Sequence, residues 1–186
     1  EGDVLQKRVV PDFTQGQLDA VAAQFTGGIA QLPPMYSALK RDGKPLYAYA
    51  RAGEVVERTP RDITIHSLSL SATSDPTRLK LTVRCSKGTY VRTLGEDIGE
   101  ALGCGAHLAS LRRTQTGCFT LADQRVGYVP TTLTALEALA DGARLETLLP
   151  VETLLHGADT LALAPEQAGR FLSGVRLRTA DLPHAD

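Results

Sequence analysis

Residues 61–92 read RDITIHSLSLSATSDPTRLKLTVRCSKGTYVR, and this run decides the fold. Leu79, Leu81, Val83 and Cys85 alternate with Arg78, Lys80, Thr82 and Arg84, the period of two that a half-buried strand requires. Upstream, Ile63 and Ile65 share one face, after which the apolar phase shifts to Leu68 and Leu70. One extra residue, a β-bulge, explains such a shift. Asp75-Pro76 supplies a turn between the two runs, so they are predicted to form an antiparallel hairpin. Past the hairpin, Leu94, Ile98, Ala101 and Leu102 fall on one side of a helix that Gly103 ends. Thr93 and Glu96 have the spacing of a capping box at its start.

Working outward, Thr14 and Gln17 predict a second capping box. Leu18, Val21, Ala22 and Phe25 then form one helical face, and Gly27-Gly28 stops it. Residues 3–10 read as extended. Residues 29–60 are punctuated by Pro33-Pro34, Asp42-Gly43 and Pro45, which excludes one long element and leaves room for a short helix over 46–52. Downstream, His107–Phe119 fits either strand or helix, with Thr114-Gln115-Thr116 favouring strand. Leu133, Leu136 and Leu139 read as helical, and Pro165 opens a last helix ending at Gly174. Strands and helices without regular βαβ alternation predict an α+β fold, with a mixed, largely antiparallel sheet flanked by helices.

The bulk properties narrow the function classes. The chain has 186 residues, 42% hydrophobic and 22% charged, the balance of a folded globular protein. No apolar run reaches the length of a membrane span. Three cysteines, Cys85, Cys104 and Cys118, form no disulfide framework and point to a reducing cytoplasm. Cys104 and His107 have a spacing that suits a shared metal, but no second ligand pair accompanies them, so no metal is expected. Residues 1–119 hold 15 Lys and Arg against 12 Asp and Glu, while residues 120–186 hold 5 against 9. Positive charge therefore gathers where the motifs lie.

Three stretches carry chemistry. In Ser86–Arg92, SKGTYVR, a glycine lets the backbone turn, Tyr90 offers a flat face for a base, and Lys87 and Arg92 offer charge for a phosphate or a carboxylate. The same residues would equally serve a strand-to-helix connection with the tyrosine packed inward. The second stretch, Gly105–Arg113, ends in Arg112-Arg113, a pair able to grip a sugar-phosphate chain or simply to solvate a strand end. The third, Gln31–Arg51, QLPPMYSALKRDGKPLYAYAR, interleaves Lys40, Arg41, Lys44 and Arg51 with Tyr36, Tyr47 and Tyr49. Cations among aromatics suit backbone-plus-stacking recognition of RNA, or a loop whose tyrosines pack back on the domain.

Taken in order, PPMYSALKRDGKPLYAYARAG and CSKGTYVRTLGEDIGEALGCGAHLASLRRTQTGCF resemble the bacterial tRNA pseudouridine synthase B (TruB) family, over roughly residues 1–125. The resemblance implies an isomerase that converts a tRNA T-loop uridine to pseudouridine with no cofactor and no metal. It implies that Tyr90 contacts the target base and that Arg92 pairs with the catalytic aspartate. It also implies that Leu111 lines the uracil pocket and that the region about 29–60 is a thumb clamping the RNA. Lys87 is expected at the substrate, and Lys40, Lys44, Tyr47, Arg51, Arg112 and Arg113 on the RNA. The partner expected is the tRNA T-loop and T-stem, bound by a cytoplasmic monomer without membrane contact. Residues 1–150 are expected to be part of the catalytic domain, and 151–186 an extension toward a PUA-like domain.

The family nucleophile sits in a Gly-x-Leu-Asp-Pro-x-Ala pattern. Asp19, Asp75 and Asp97 all lack that context. With Glu1 at the start and Met35 the only methionine, the chain is expected to be a piece whose nucleophile lies upstream, inactive alone. Two alternatives stand beside this: a non-catalytic RNA-binding module of the same fold, and a metal-dependent domain built on Cys104 and His107.

Overall fold

A computed structural model of the chain describes residues 4, 6–121, 129–155, 157–178 and 182. Part of the extended reading at 3–10, and of the expected approach to a C-terminal domain, lies outside the described residues. The chain divides into two compact units, residues 1–111 and 112–186.

The first unit is built on a three-stranded antiparallel sheet, ordered β1 (Gly27–Gln31), β4 (Arg61–Ala72), β5 (Leu79–Cys85). The β4–β5 hairpin forms as its alternation predicts. The register slips between Ile65 and Ser67, so Ile65 faces Cys85 and Ser67 faces the adjacent Arg84. His66 is the extra residue, and the slip lets Ile63, Ile65 and Leu70 all reach the core. Helix α1 (Gln15–Gln24) lays Leu18, Val21 and Ala22 on this sheet, and α3 (Val91–Ala101) adds Leu94 and Ile98. Each fully buried Leu or Ile side chain contributes about 1.5–3 kcal/mol of transfer free energy. The Thr14 box caps α1 as expected, and Gln15 Nε2 donates to the Leu70 carbonyl (2.8 Å), tying helix to strand.

Three details differ from the sequence expectation. Strand β1 falls where the sequence shows only a helix stop and an irregular run. GGIAQ offers one large apolar residue, too little for a periodicity signal, yet pairing with β4 from Gly27↔Ile65 to Gln31↔Arg61 orders it. Helix α3 begins at Val91, with Tyr90 as the cap in an extended conformation. Thr93 is therefore inside the first turn, its hydroxyl buried without a partner, and caps nothing. Within the stretch 107–119, residues 107–114 are neither helix nor strand, while Gln115–Thr116 (β6), where the sequence favours strand, pairs with Phe119–Thr120 (β7).

Between β1 and β4, Lys40–Arg41 (β2) and Lys44–Pro45 (β3) form a small hairpin leading into α2 (Leu46–Arg51), near the 46–52 expected. Asp42 (φ 49°) and Gly43 (φ 78°) are both left-handed, the tight two-residue turn that an Asp-Gly pair favours.

The second unit holds the β6–β7 hairpin and short helices α4 (Leu133–Glu137), α5 (Asp141–Glu146) and α6 (Pro165–Leu172), with a 3-10 turn over Val151–Leu155. Pro165 opens α6 and Gly174 follows it, as predicted. Among the described residues these helices bury no side chain, and Leu148, Val151, Leu154 and Phe171 stand exposed. No helix among the described residues is long and apolar enough to cross a membrane.

Candidate functional site

SKGTYVR is the link from the end of β5 to the start of α3. Ser86 prolongs the pairing with β4, donating its backbone N–H to the Thr64 carbonyl (2.8 Å) and accepting the Thr64 N–H on its hydroxyl (3.0 Å). Lys87-Gly88 then turns the chain. Gly88 has φ 86°, a conformation a side chain would strain. Thr89 donates its hydroxyl to the Ser86 carbonyl (2.9 Å) and closes the turn. The result places Tyr90, half-buried, at the cap of α3, with Lys87 and Arg92 exposed on either side of it in sequence.

Tyr90 and Arg92 are both held by one segment, Gln31 to Tyr36. The Gln31 side chain accepts the Tyr90 N–H (2.8 Å) and donates to the Tyr90 carbonyl (3.1 Å). The Arg92 guanidinium donates through Nη2 to the Tyr36 carbonyl (2.9 Å). Among the described residues no carboxylate forms an ion pair with Arg92. Asp19 accepts from Gln15 (2.7 Å), and Asp75 accepts from Thr77 and pairs with Arg78 (3.1 Å). Asp97 lies on α3, its carboxyl raised above its ordinary value by burial.

Gln31 opens the aromatic-cation stretch, yet the motif patterns give it no role. A signal exists all the same: Gly27, Ile29 and Gln31 alternate inward along β1, and a polar side chain on a core-facing position needs buried partners.

The hairpin and α2 collect the cations and tyrosines of the third stretch. Lys44 Nζ sits 4.2 Å from the Tyr49 ring centre and the Arg51 guanidinium 5.2 Å from that of Tyr47. Tyr49 packs back, its hydroxyl donating to the Arg41 carbonyl (3.2 Å), whereas Tyr47 remains 40% exposed. Lys40, Arg41, Arg58 and Arg61 line a cavity of about 340 Å³, with Glu57 the one acidic group in its wall. Arg41 donates to the Glu57 carbonyl and Arg58 to the Pro33 carbonyl (2.9 Å), so backbone oxygens orient two of the four cations.

The structure thus brings Tyr90, Arg92 and Lys87 to one turn-to-helix junction, and Lys40, Lys44, Tyr47 and Arg51 onto one hairpin-helix segment. Leu111 closes the first unit and is 65% exposed. Arg112 and Arg113 belong to the second unit, where Arg113 reaches the Thr116 hydroxyl (3.5 Å). Among the described residues, His, Cys, Asp and Glu side chains form no group of three that would hold a metal.

Residues 1–91 match the model of the TruB family pseudouridylate synthase N-terminal domain, and residues 92–156 that of the tRNA pseudouridylate synthase B C-terminal domain. The chain is 53% identical to tRNA pseudouridine synthase B of Ralstonia pickettii, over 100% of its own length and 58% of that protein's. It is 51% identical to the same-named protein of Cupriavidus metallidurans, over 98% of the chain and 56% of that protein. The chain therefore spans a little over half the length of these relatives, and the likeness runs well past the first 125 residues. Among solved structures, one protein of a Cbf5-Nop10-Gar1 complex superposes over 90% of this chain and 46% of its own, with a TM-score of 0.65 at 23% identity. That likeness supports the α+β fold.

Proposed function

The chain belongs to the TruB family of pseudouridylate synthases, and from that premise we propose that it carries the base-contacting wall and the RNA clamp of an enzyme that isomerises a T-loop uridine of tRNA to pseudouridine. The observation that carries this reading is the fixed presentation of Tyr90 and Arg92 at a turn-to-helix junction, beside a cationic hairpin.

Each part has a physical task. A uridine within a folded loop must leave its stack before its glycosidic bond can be reached, at a cost of about a few kcal/mol. Stacking on the Tyr90 ring, worth about 1–3 kcal/mol, offsets that cost. The cations of the hairpin and its cavity neutralise phosphates and set the register of the strand without reading its sequence. Arg92 keeps donors beyond the one spent on the Tyr36 carbonyl, and these hold an attacking carboxylate ionised beside the sugar. Leu111 supplies an apolar wall that keeps the detached uracil from water while it turns. We assign the carboxylate to sequence outside residues 1–186, because no aspartate within them stands in the family's Gly-x-Leu-Asp-Pro-x-Ala pattern. The work is done in the cytoplasm, without a metal or organic cofactor.

Arg92→Ala, placed in a catalytically complete protein, tests the assignment. Turnover of a T-stem-loop RNA is expected to fall by about 100-fold or more, with affinity changed by no more than a few-fold, since the partner of Arg92 is a carboxylate and not a phosphate. A pure affinity defect with normal turnover would sink that role. Conversion of uridine by the 186-residue chain alone would overturn the placement of the nucleophile outside it.

A further inference from the structure

Gln31 is 2% exposed, a buried amide with two hydrogen bonds, both to the backbone of one residue, Tyr90. An amide can satisfy an N–H and a C=O of the same residue only in one orientation, so the pair fixes the Tyr90 peptide groups in direction as well as position. Tyr90 needs such a partner. It caps α3 with φ −96° and ψ 99°, outside the helix, where its N–H has no intrahelical acceptor. Its carbonyl is shared by the Leu94 N–H (3.0 Å) and Gln31. The Tyr90 side chain leaves from a backbone held at both ends, so the clamp fixes the Cα–Cβ direction from which the ring departs. Gln31 is itself anchored as the last residue of β1, opposite Arg61.

The same segment holds Arg92. Pro33-Pro34 lies between Gln31 and Tyr36, and fixed proline φ angles stiffen a strap whose one end grips Tyr90 and whose other end holds the Arg92 guanidinium. The cationic hairpin continues directly from this strap.

We propose that Gln31 is a positioning residue: it acts through Tyr90, aiming the ring at the flipped base, and it links the RNA-gripping hairpin to the residues that face the base. This inference rests on the base-contacting reading of Tyr90. Misplacing a reacting group by about 1 Å is enough to cost about 100-fold in rate, so a clamp on the backbone that carries the ring matters to chemistry as well as to stability.

A double-mutant cycle on the chain itself, read as the dissociation constant for a T-stem-loop RNA hairpin, tests it. Tyr90→Ala is expected to weaken binding by about 5-fold or more, the lower end of a base-aromatic stack. Gln31→Leu is expected to weaken binding comparably in the native background, and by less than about 2-fold further in the Tyr90→Ala background, because the ring it aims is gone. Gln31→Met keeps the length of the side chain and loses both hydrogen bonds. It should weaken binding in the native background as Gln31→Leu does, with the same silence in the Tyr90→Ala background, and it remains informative should Gln31→Leu not fold. Equal losses in both backgrounds would overturn the proposal in favour of a general structural role, and unchanged affinity in the native background would also overturn it. If Tyr90→Ala itself leaves affinity unchanged, the base-contacting reading falls and Gln31's role falls with it.

Discussion

Two glycines four residues apart on α3 should respond oppositely to the same substitution. A Cβ built at Gly99 would lie 2.2 Å from the Ala106 backbone nitrogen, 2.4 Å from the Gly105 carbonyl carbon and 2.5 Å from the Ala106 Cβ. A Cβ at Gly95 would meet only Leu108, at 3.8 and 3.9 Å, which is ordinary packing. Alanine gains about 1 kcal/mol over glycine inside a helix, so Gly95→Ala should stabilise by about that much. At Gly99 the same gain is opposed by backbone, which cannot rotate away as a side chain would. Relief requires residues 105–106 to move by about 1 Å, since carbon atoms settle near 3.5–4.0 Å. That motion costs about 1–3 kcal/mol of overpacking strain. It also endangers the hydrogen bond from the Gly105 N–H to the Gly99 carbonyl (2.9 Å), worth about 0.5–1.5 kcal/mol net. Gly99→Ala should therefore be less stable than the native chain by about 2 kcal/mol, and than Gly95→Ala by about 3 kcal/mol. Urea unfolding followed by circular dichroism measures both differences. A Gly99→Ala chain as stable as the native one would refute the close approach of α3 to residues 105–106, and with it the placement of the stretch that leads to Leu111.

Two further outcomes are expected. Lys40→Ala with Lys44→Ala should weaken RNA binding and flatten the plot of log affinity against log salt by about 1–2 units, one for each phosphate no longer neutralised; an unchanged slope would count against the hairpin as a clamp. Glu100 pairs with Arg8 (2.8 Å), and the hydrogen bond and charge of Arg8 hold its carboxyl below the ordinary 4.5. Its stabilising effect is present above that ordinary value and is lost as pH falls through the lowered one, so Glu100→Gln should lower the melting temperature at pH about 7 and converge with the native chain in acid. A pH-independent difference would mean the pair contributes through packing and not charge.

How much of this is legible in the sequence depends on what kind of force fixes each part. The β4–β5 hairpin, its bulge and the Thr14 cap are readable because local alternation and local hydrogen bonding specify them. Strand β1 is not, because β4 orders it from outside: Gly27, Gly28 and Ala30 give no pattern until Ile63 and Ile65 are placed opposite. The Thr93 box has correct spacing in the wrong turn, since the Gly88 turn and the extended Tyr90 start the helix three residues earlier. Tyr90 and Arg92 stand out through their motif, yet the hydrogen bonds that hold them span 59 and 56 residues of sequence, beyond any local pattern. The Asp42-Gly43 pair reads as a break when it is in fact the turn of a hairpin.

The bulge at His66 leaves β4 with one residue more than its alternation uses. Without it the strand would read ITISLSL, still apolar at every inward place, and each ladder partner on β5 would keep its mate. His66, with Ser67 beside it, is thus a place where losing one residue turns no side chain over, in contrast to places in β4 away from the bulge, where a deletion would exchange core for solvent along part of the strand. Chain length is negotiable at the bulge, and what the extra residue supplies is the local bend and twist of the sheet.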